Sequence, residues 1–296
     1  MAAPRFALDL TPRWGGRAAR RPLDIFAGQL YAAYGLRRLL SAYAGPCVRV
    51  RRAADGAEAD IGFTATGALD TAALLAFAGA GSAFATVWYD QAGAARDASQ
   101  PTGAAQPRLV TAGVLDVGPN GLPAAAFAGA HYMDVPSAAG FLRSIPVATY
   151  AVISRATAAS GQAVIASSAG SSAVQARALL AYSPNATAPV LQVRTTDSST
   201  LSSQPGAAVV SGAWTRLIGR ARFAEGGIDI AVNGTTNTIA LSPAQNTPDA
   251  NSVIGVRIGA FTGGTLFLTG GISTVVLAQS SLDLAALDAA LAQVMP

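Results

Sequence analysis

The chain has 296 residues, of which 51% are hydrophobic and 12% charged, and its formal net charge is +4. That is chain enough for one large β-sandwich or two small domains, and its charge content, about half the roughly 25% of ordinary globular proteins, excludes a solvated disordered polymer. A lone cysteine, Cys47, excludes an intrachain disulfide or a two-Cys metal site, and a lone histidine, His131, excludes a two-His zinc site.

Residues 1–22 read as a basic N-terminal arm. All 20 basic residues are arginine; ten lie between Arg5 and Arg52, where Asp9 and Asp24 are the only acids. Such an arm suits docking on an acidic protein or a neighbouring subunit. Nucleic acid is the weaker match, because Trp14 stands nearly alone as an aromatic for base stacking. The start lacks the basic-then-apolar order of a secretory signal. The mean hydropathy of +0.37 comes largely from alanine, in runs too short to span a bilayer, so neither export by a signal peptide nor membrane insertion is expected.

Residues 23–296 read as one domain. Leu30, Tyr34, Leu36, Leu39, Leu40 and Tyr43 recur broadly at helical spacing until Gly45-Pro46, which predicts a helix there. CVRVRR, from Cys47, alternates like a strand with one wet face, and Asp55-Gly56 is a turn. Asp70 is placed to cap a short helix that Gly79 stops, and FATVWYD is a strand. Beyond about Pro107 short β-prone runs recur: PVATYAVIS, AVIASS, ALLAYS, PVLQVRT, WTRLIGRARF, IDIAVNG, SVIGVRIG, TLFLTGG and ISTVVLAQ. Turn residues such as Pro184-Asn185, Gly226-Gly227 and Asn233-Gly234 separate them, so an all-β sandwich or barrel is predicted. The tail places Leu284, Leu287, Leu291 and Val294 on one stripe of a helix after a Ser281 cap. Trp88 and Trp214 read as core anchors.

Between Tyr34 and Gln100 stand YGLRRLLSAYAGPCVRVRRAADGAEADIG, LDTAALLAFAG and VWYDQAGAARDASQ. In this order they resemble the catalytic domain of α-L-arabinofuranosidases of glycoside hydrolase family 54, closest to members of that superfamily in phage and prophage virion proteins. The most specific piece is WYDQ-x-G, Trp88 to Gly93; the family continues with Asn-Gly-Asn or similar, where this chain has Ala94, Ala95 and Arg96. The likeness covers the first third by motif. It implies a concanavalin A-like, laminin-G-like jelly-roll sandwich, with a few short helices beside the arm.

The resembling enzymes use a Glu nucleophile and an Asp acid, as a glycosidase's paired carboxylates require. This chain has only Glu58 and Glu225, neither where the family's nucleophile is expected, and Ser154 to Val193 contains no acid. The family's paired cysteines are absent as well. An Asp pair such as Asp90 with Asp134 is left as a possible acid/base couple. The expectation drawn is therefore no catalysis: a virion or phage-derived particle protein, a head spike, fibre or tail-associated component assembled in the bacterial cytoplasm. It would be homo-oligomeric, docked on other particle proteins through the arm, and would contact cell-surface polysaccharide. The alternative is a glycosidase of arabinofuranosidase type. Asp90, Gln91, His131 and Tyr132 are the candidate carbohydrate-binding residues, although Asp90 and Gln91 are better suited to tying down their turn through backbone hydrogen bonds and Tyr132 equally able to pack within its strand. No cofactor and no metal is expected; Asp55 to Asp60 offers oxygen ligands without the spacing of a calcium loop.

Overall fold

The computed structural model describes residues 20–157, 161–168, 177–183, 186–197, 199–251, 255–262 and 264–296. The predicted arm lies outside these apart from its last three residues, as do the Pro184-Asn185 separator and the first three residues of SVIGVRIG.

In chain order the elements begin with β1 (Ala32–Gly35), β2 (Val48–Arg52), β3 (Glu58–Ile61), α1 (Thr71–Ala78), β4 (Ala83–Trp88), β5 (Ala98–Ser99) and β6 (Arg108–Thr111). There follow β7 (Val114–Leu115), β8 (Ala125–Ala128), β9 (Met133–Val135), β10 (Val147–Ala156), β11 (Gln162–Ser168), β12 (Arg177–Tyr182) and β13 (Pro189–Arg194). The rest are β14 (Ser202–Pro205), β15 (Thr215–Arg222), β16 (Gly227–Val232), β17 (Thr235–Ala240), β18 (Val256–Ile258), β19 (Thr269–Ala278) and α2 (Leu284–Ala292).

The strands pair antiparallel into two layers. One runs β17–β16–β15–β10–β19–β1. The other runs β14–β13–β12–β11–β18–β9–β5–β4–β2–β3. A bridge of β6 and β8 joins them, because β8 pairs with β19 while β6 pairs with both β8 and β4. Alternation within the strands builds the core between the layers: Val152, Leu217, Ile230 and Val275 come from the first, and Val50, Ile165, Leu180 and Leu191 from the second. Trp88 anchors this core at 1% exposure. Each such aliphatic side chain, fully buried, contributes roughly 1.5–3 kcal/mol. The predicted all-β jelly-roll sandwich is the fold observed.

The two outer faces differ. On the first layer, α2 and the segment around Leu23 and Phe26 cover Ala151, Ile153, Ile218, Ala231 and Val276, with Trp214 at the margin. Leu284, Leu287, Leu291 and Val294 are all buried there, as their spacing predicted. Asp283, not Ser281, caps α2, because its carboxylate accepts from the N–H groups of both Ala285 and Ala286. In α1 the Asp70 cap and the Gly79 stop are as expected. The helix predicted around Leu30 to Tyr43 is not formed. Ala32–Gly35 is the edge strand β1 on β19, sending Ala33 into the helix-covered cluster and Tyr34 into the central core. A strand buried on both faces reads as an unbroken apolar run, which spacing alone does not separate from a helix.

Candidate functional site

Among the described residues no α-helix covers the second layer's outer face, and its pairing register lines up one row of side chains. Asp60 pairs with Arg49, Arg49 with Val87, Val87 with Ser99 and Ser99 with Asp134. Asp134 then pairs with Arg257, Arg257 with Ala166, Ala166 with Leu179, Leu179 with Gln192 and Gln192 with Ser203. Directly opposed residues in antiparallel strands share a face, so this row crosses ten strands over a contour of roughly 43 Å.

Two depressions lie along it. One, of about 460 Å³, is lined by Leu179, Ala181, Val190, Gln192, Ser203 and Leu266, among others. The other, of about 500 Å³, is polar, with Arg49, Arg51, Glu58, Ser99, Gln100 and Gln106 on its walls. Between them sits Asp134, held by Arg257 through Nε–Oδ1 at 2.6 Å and Nη2–Oδ2 at 2.9 Å. The Arg257 guanidinium lies 4.0 Å from the centre of the Tyr132 ring, which leans on Phe267. Neutral aromatic and aliphatic floor beside fixed charges is what a sugar ring needs: C–H faces on the first and hydroxyls to the second.

Charge at the β3 end is compensated. Arg49 makes a two-point pair with Asp60, and Tyr89 donates its hydroxyl to the same carboxylate. The Arg49 hydrogen bond holds Asp60 below its ordinary pKa, and burial, then the Asp60 contact, pushes the Tyr89 phenol up to about 12. Arg51 donates Nε to Gln106. Across the face, Arg177 stands opposite Arg194, and burial followed by the Arg194 charge lowers the Arg177 pKa.

Of the four residues singled out from sequence, only Tyr132 reaches this row. Asp90 is 3% exposed and its two carboxylate oxygens accept from the backbone N–H groups of Ala33, Ala92, Ala94 and Arg96. Gln91 is likewise tied to backbone, at Leu39, Gly35 and Arg37. Those two clamp β1 to the turn after β4. His131 is half-buried, its Nδ1 near the Ala126 carbonyl and the Ala128 N–H, and burial lowers its pKa. Asp90, buried with both carboxylate oxygens held by backbone N–H groups, is not on the row that bears Asp134 and is not free to act with it. Glu225 pairs with Arg222 on the other layer. Among the described residues no group of three or more His, Cys, Asp or Glu is placed to hold a metal. Sequence reading did not single out Arg257, Gln192 or Arg177; the alternation of VLQVR and ARALL marked their outward direction, but not which strands they would face.

Comparison with known proteins finds a family model matching the first part of the chain and solved structures that share its fold. Residues 22–135 match the model described as alpha-L-arabinofuranosidase B, catalytic. An arabinofuranosidase complexed with arabinofuranosyl-alpha-1,2-xylobiose superposes at a TM-score of 0.70 with 14% identity, over 93% of this chain and 64% of that one. A family 54 α-L-arabinofuranosidase soaked with a cyclic sulfate inhibitor gives 0.68 at 14% identity, over 93% and 65%. A mutant of such an enzyme, soaked with 4-nitrophenyl α-L-arabinofuranoside, gives 0.68 at 15% identity, over 93% and 65%. The chain thus spans just under two thirds of the length of these structures. No curated protein sequence matches it.

These matches overturn the expectation of a non-catalytic virion component, whether head spike, fibre or tail-associated: the family model and the similar structures are those of a glycosidase, the alternative weighed from sequence. That expectation rested on the acid-poor stretch from Ser154 to Val193, yet the central carboxylate of the exposed face, Asp134, comes from outside it. The chain carries, over residues 22–135, the sequence signature of the α-L-arabinofuranosidase B catalytic domain and, over 93% of its length, that superfamily's fold.

Proposed function

We propose that the chain is a glycosidase of arabinofuranosidase type, acting on arabinofuranosyl-bearing polysaccharide laid along the exposed face of the second layer. The observation that carries this reading is the family match over residues 22–135, a span that ends on β9 and includes Asp134. Hydrolysis of a glycosidic bond takes one carboxyl group to protonate the departing oxygen and another to serve the anomeric carbon, about 5 to 9.5 Å apart. Asp134 and Asp60 are four strand pairings apart, or roughly 19 Å, so the strands supply one member of the couple. The second lies off this strand row; Asp197, three residues beyond Arg194, follows β13, itself four pairings from β9, so its role beside Asp134 is tested by substitution and not by register.

The test is release of 4-nitrophenol from 4-nitrophenyl α-L-arabinofuranoside, and of arabinose from arabinoxylan, by the full chain and by Asp134→Asn and Asp197→Asn. Release by the wild type that falls at least about a hundredfold in either variant, with the variant still folded at the assay temperature, supports the assignment. Release undiminished in both variants moves the carboxylates elsewhere. Absence of release by the wild type overturns the hydrolase reading, and a bound polysaccharide in that experiment would leave the face as a saccharide-binding surface.

A further inference from the structure

A separate chamber, of about 590 Å³, opens at the margin of the helix-covered layer, on the other side of the sandwich from the exposed face. Alternation along β10 sends Ala151 and Ile153 into the helix-covered cluster and Arg155 out on the same side. The last pair of β10 with β15 is Ser154 with Thr215, so Arg155 and Trp214 stand at the next step, the guanidinium 5.7 Å from the indole centre. Gly271 on β19 lets the indole lie close, because a Cβ there would come within 3.0 Å of the ring. Val117, Pro119, Asn120 and Ala213 are among the other walls. Arg155 and Trp214 also line an adjoining recess of about 30 Å³, together with Asp116. Trp214 is 9% exposed, yet its Nε1, like the Nε of Arg155, is buried without a hydrogen-bond partner. Buried donors normally find an acceptor. The Asp116 carboxylate is held at two points by Arg108 and accepts from Thr111, which leaves it able to take one donor more. The recess therefore offers two donors and one acceptor to a single small group.

We propose that this chamber is a second saccharide site, seating one neutral sugar unit away from the exposed face. A hydroxyl is the group that both accepts and donates: it takes the N–H of Trp214 or Arg155 and gives its own proton to Asp116. A carboxylate head would satisfy the two donors but meet the Asp116 charge, and a bare hydrocarbon would leave both donors unpaired. Val117, Pro119 and Ala213 give the C–H face of a ring an apolar wall, while the amide of the exposed Asn120 both donates and accepts. The chamber's volume falls in the range of roughly 300–1,000 Å³ that small ligands occupy. This seat does not depend on the hydrolase reading. Two seats on opposite sides let one molecule hold two strands of polymer at once.

Nitrogen-15 NMR of the full chain reads the Trp214 indole N–H directly, assigned as the resonance that Trp214→Phe removes. Titrated with xylobiose or arabinobiose, that resonance should shift saturably, with a Kd of about 0.1–10 mM. Arg155→Met should weaken binding at least about tenfold, and Asn120→Ala, on an exposed loop, about two- to fivefold; the second variant carries the test if the first does not fold. Tyr132→Ala, on the exposed face, should leave the titration within about twofold. No saturable shift with either disaccharide up to about 100 mM overturns the site. So does a titration unchanged in both Arg155→Met and Asn120→Ala, or one abolished by Tyr132→Ala, which would put the sugar on the exposed face. A shift with glucuronate and none with the neutral disaccharides overturns the assignment to a neutral unit. Because the site is read by binding, its failure is distinct from that of arabinose release.

Discussion

Asp134 and Arg257 are 123 positions apart in the chain and meet as a two-point ion pair that ties β9 to β18 in the middle of the exposed face. The arginine side chain is only 8% exposed and the aspartate 26%, so neither end is free to reorient into water. Removing one partner strands the other. Asp134→Asn or Arg257→Gln alone should lower stability by about 2–3 kcal/mol, less than a fully buried pair because Asp134 remains partly solvated. The double variant should cost less than the sum of the two, with a coupling of about 1–2 kcal/mol; urea unfolding of the four proteins measures it. Additive losses would mean that the pair is not a unit.

Tyr132 packs against that pair through the Arg257 guanidinium. Tyr132→Ala removes a guanidinium–ring contact at 4.0 Å together with the ring's lean on Phe267. Affinity for a neutral arabinoxylan oligosaccharide should fall about five- to tenfold in calorimetry, because the substitution removes the aromatic part of the floor and loosens Arg257 beside it. His131→Ala, on the neighbouring residue directed at the Ala126 and Ala128 backbone, should leave that affinity within about twofold.

The other layer holds the pH-sensitive group. Asp229 on β16 has a side chain only 4% exposed and accepts from Arg220, from Arg222 at two points, and from Thr238. Burial on its own would raise its pKa; the hydrogen bonds from Arg222, Thr238 and Arg220 outweigh that and leave it lowered. A carboxylate whose pKa is lower in the folded state stabilises the fold fully above its unfolded value, near 3.9, and loses that contribution as pH falls through the folded value. Asp229→Asn should therefore cost about 2–4 kcal/mol at pH 7, and the melting curves of variant and wild type should converge below about pH 4. A constant gap down to pH 2 would contradict the linkage.

Helix α2 can be loosened without touching the exposed face. Leu287→Ala leaves a hole among Ala151, Ile218 and Val276 and should cost about 2–5 kcal/mol, whereas Asp283→Ala, which removes the cap, should cost about 1 kcal/mol. Saccharide affinity should be unchanged in both at temperatures where they remain folded, as titration would show.

What could be read from sequence follows from how local each signal is. Both helices were legible because their signals are local: Asp70 accepts from the Ala73 N–H three residues on, and the α2 stripe lies within one short segment, although its cap is Asp283 and not Ser281. β1 was misread because Ala33 and Tyr34 are both buried, and an apolar run with two buried faces has no diagnostic period. The directions in which Asp134, Gln192 and Arg177 point were implicit in alternation. Their meeting on one row was not, because it depends on nine successive registers, one of them between strands more than a hundred residues apart. Asp90 and Gln91 were noticed for the right chemical reason, strong polar groups after a buried strand, but that chemistry serves the β1 clamp.

One layer of the sandwich is sealed by a helix and the other is bare, and this has a consequence for how the protein can change. Along β12 and β13, odd and even positions answer to different demands. Ala178, Leu180, Leu191 and Val193 are locked into the interior, while Arg177, Leu179, Gln192 and Arg194 face outward, Arg177 and Leu179 against Phe261. Rewriting the outward set leaves the inward set intact, so recognition can drift to new polymers at little expense to the scaffold. The bare layer works as an interchangeable printed surface on a fixed plate, and a combinatorial library confined to its outward positions would explore ligand preference without first having to solve folding again.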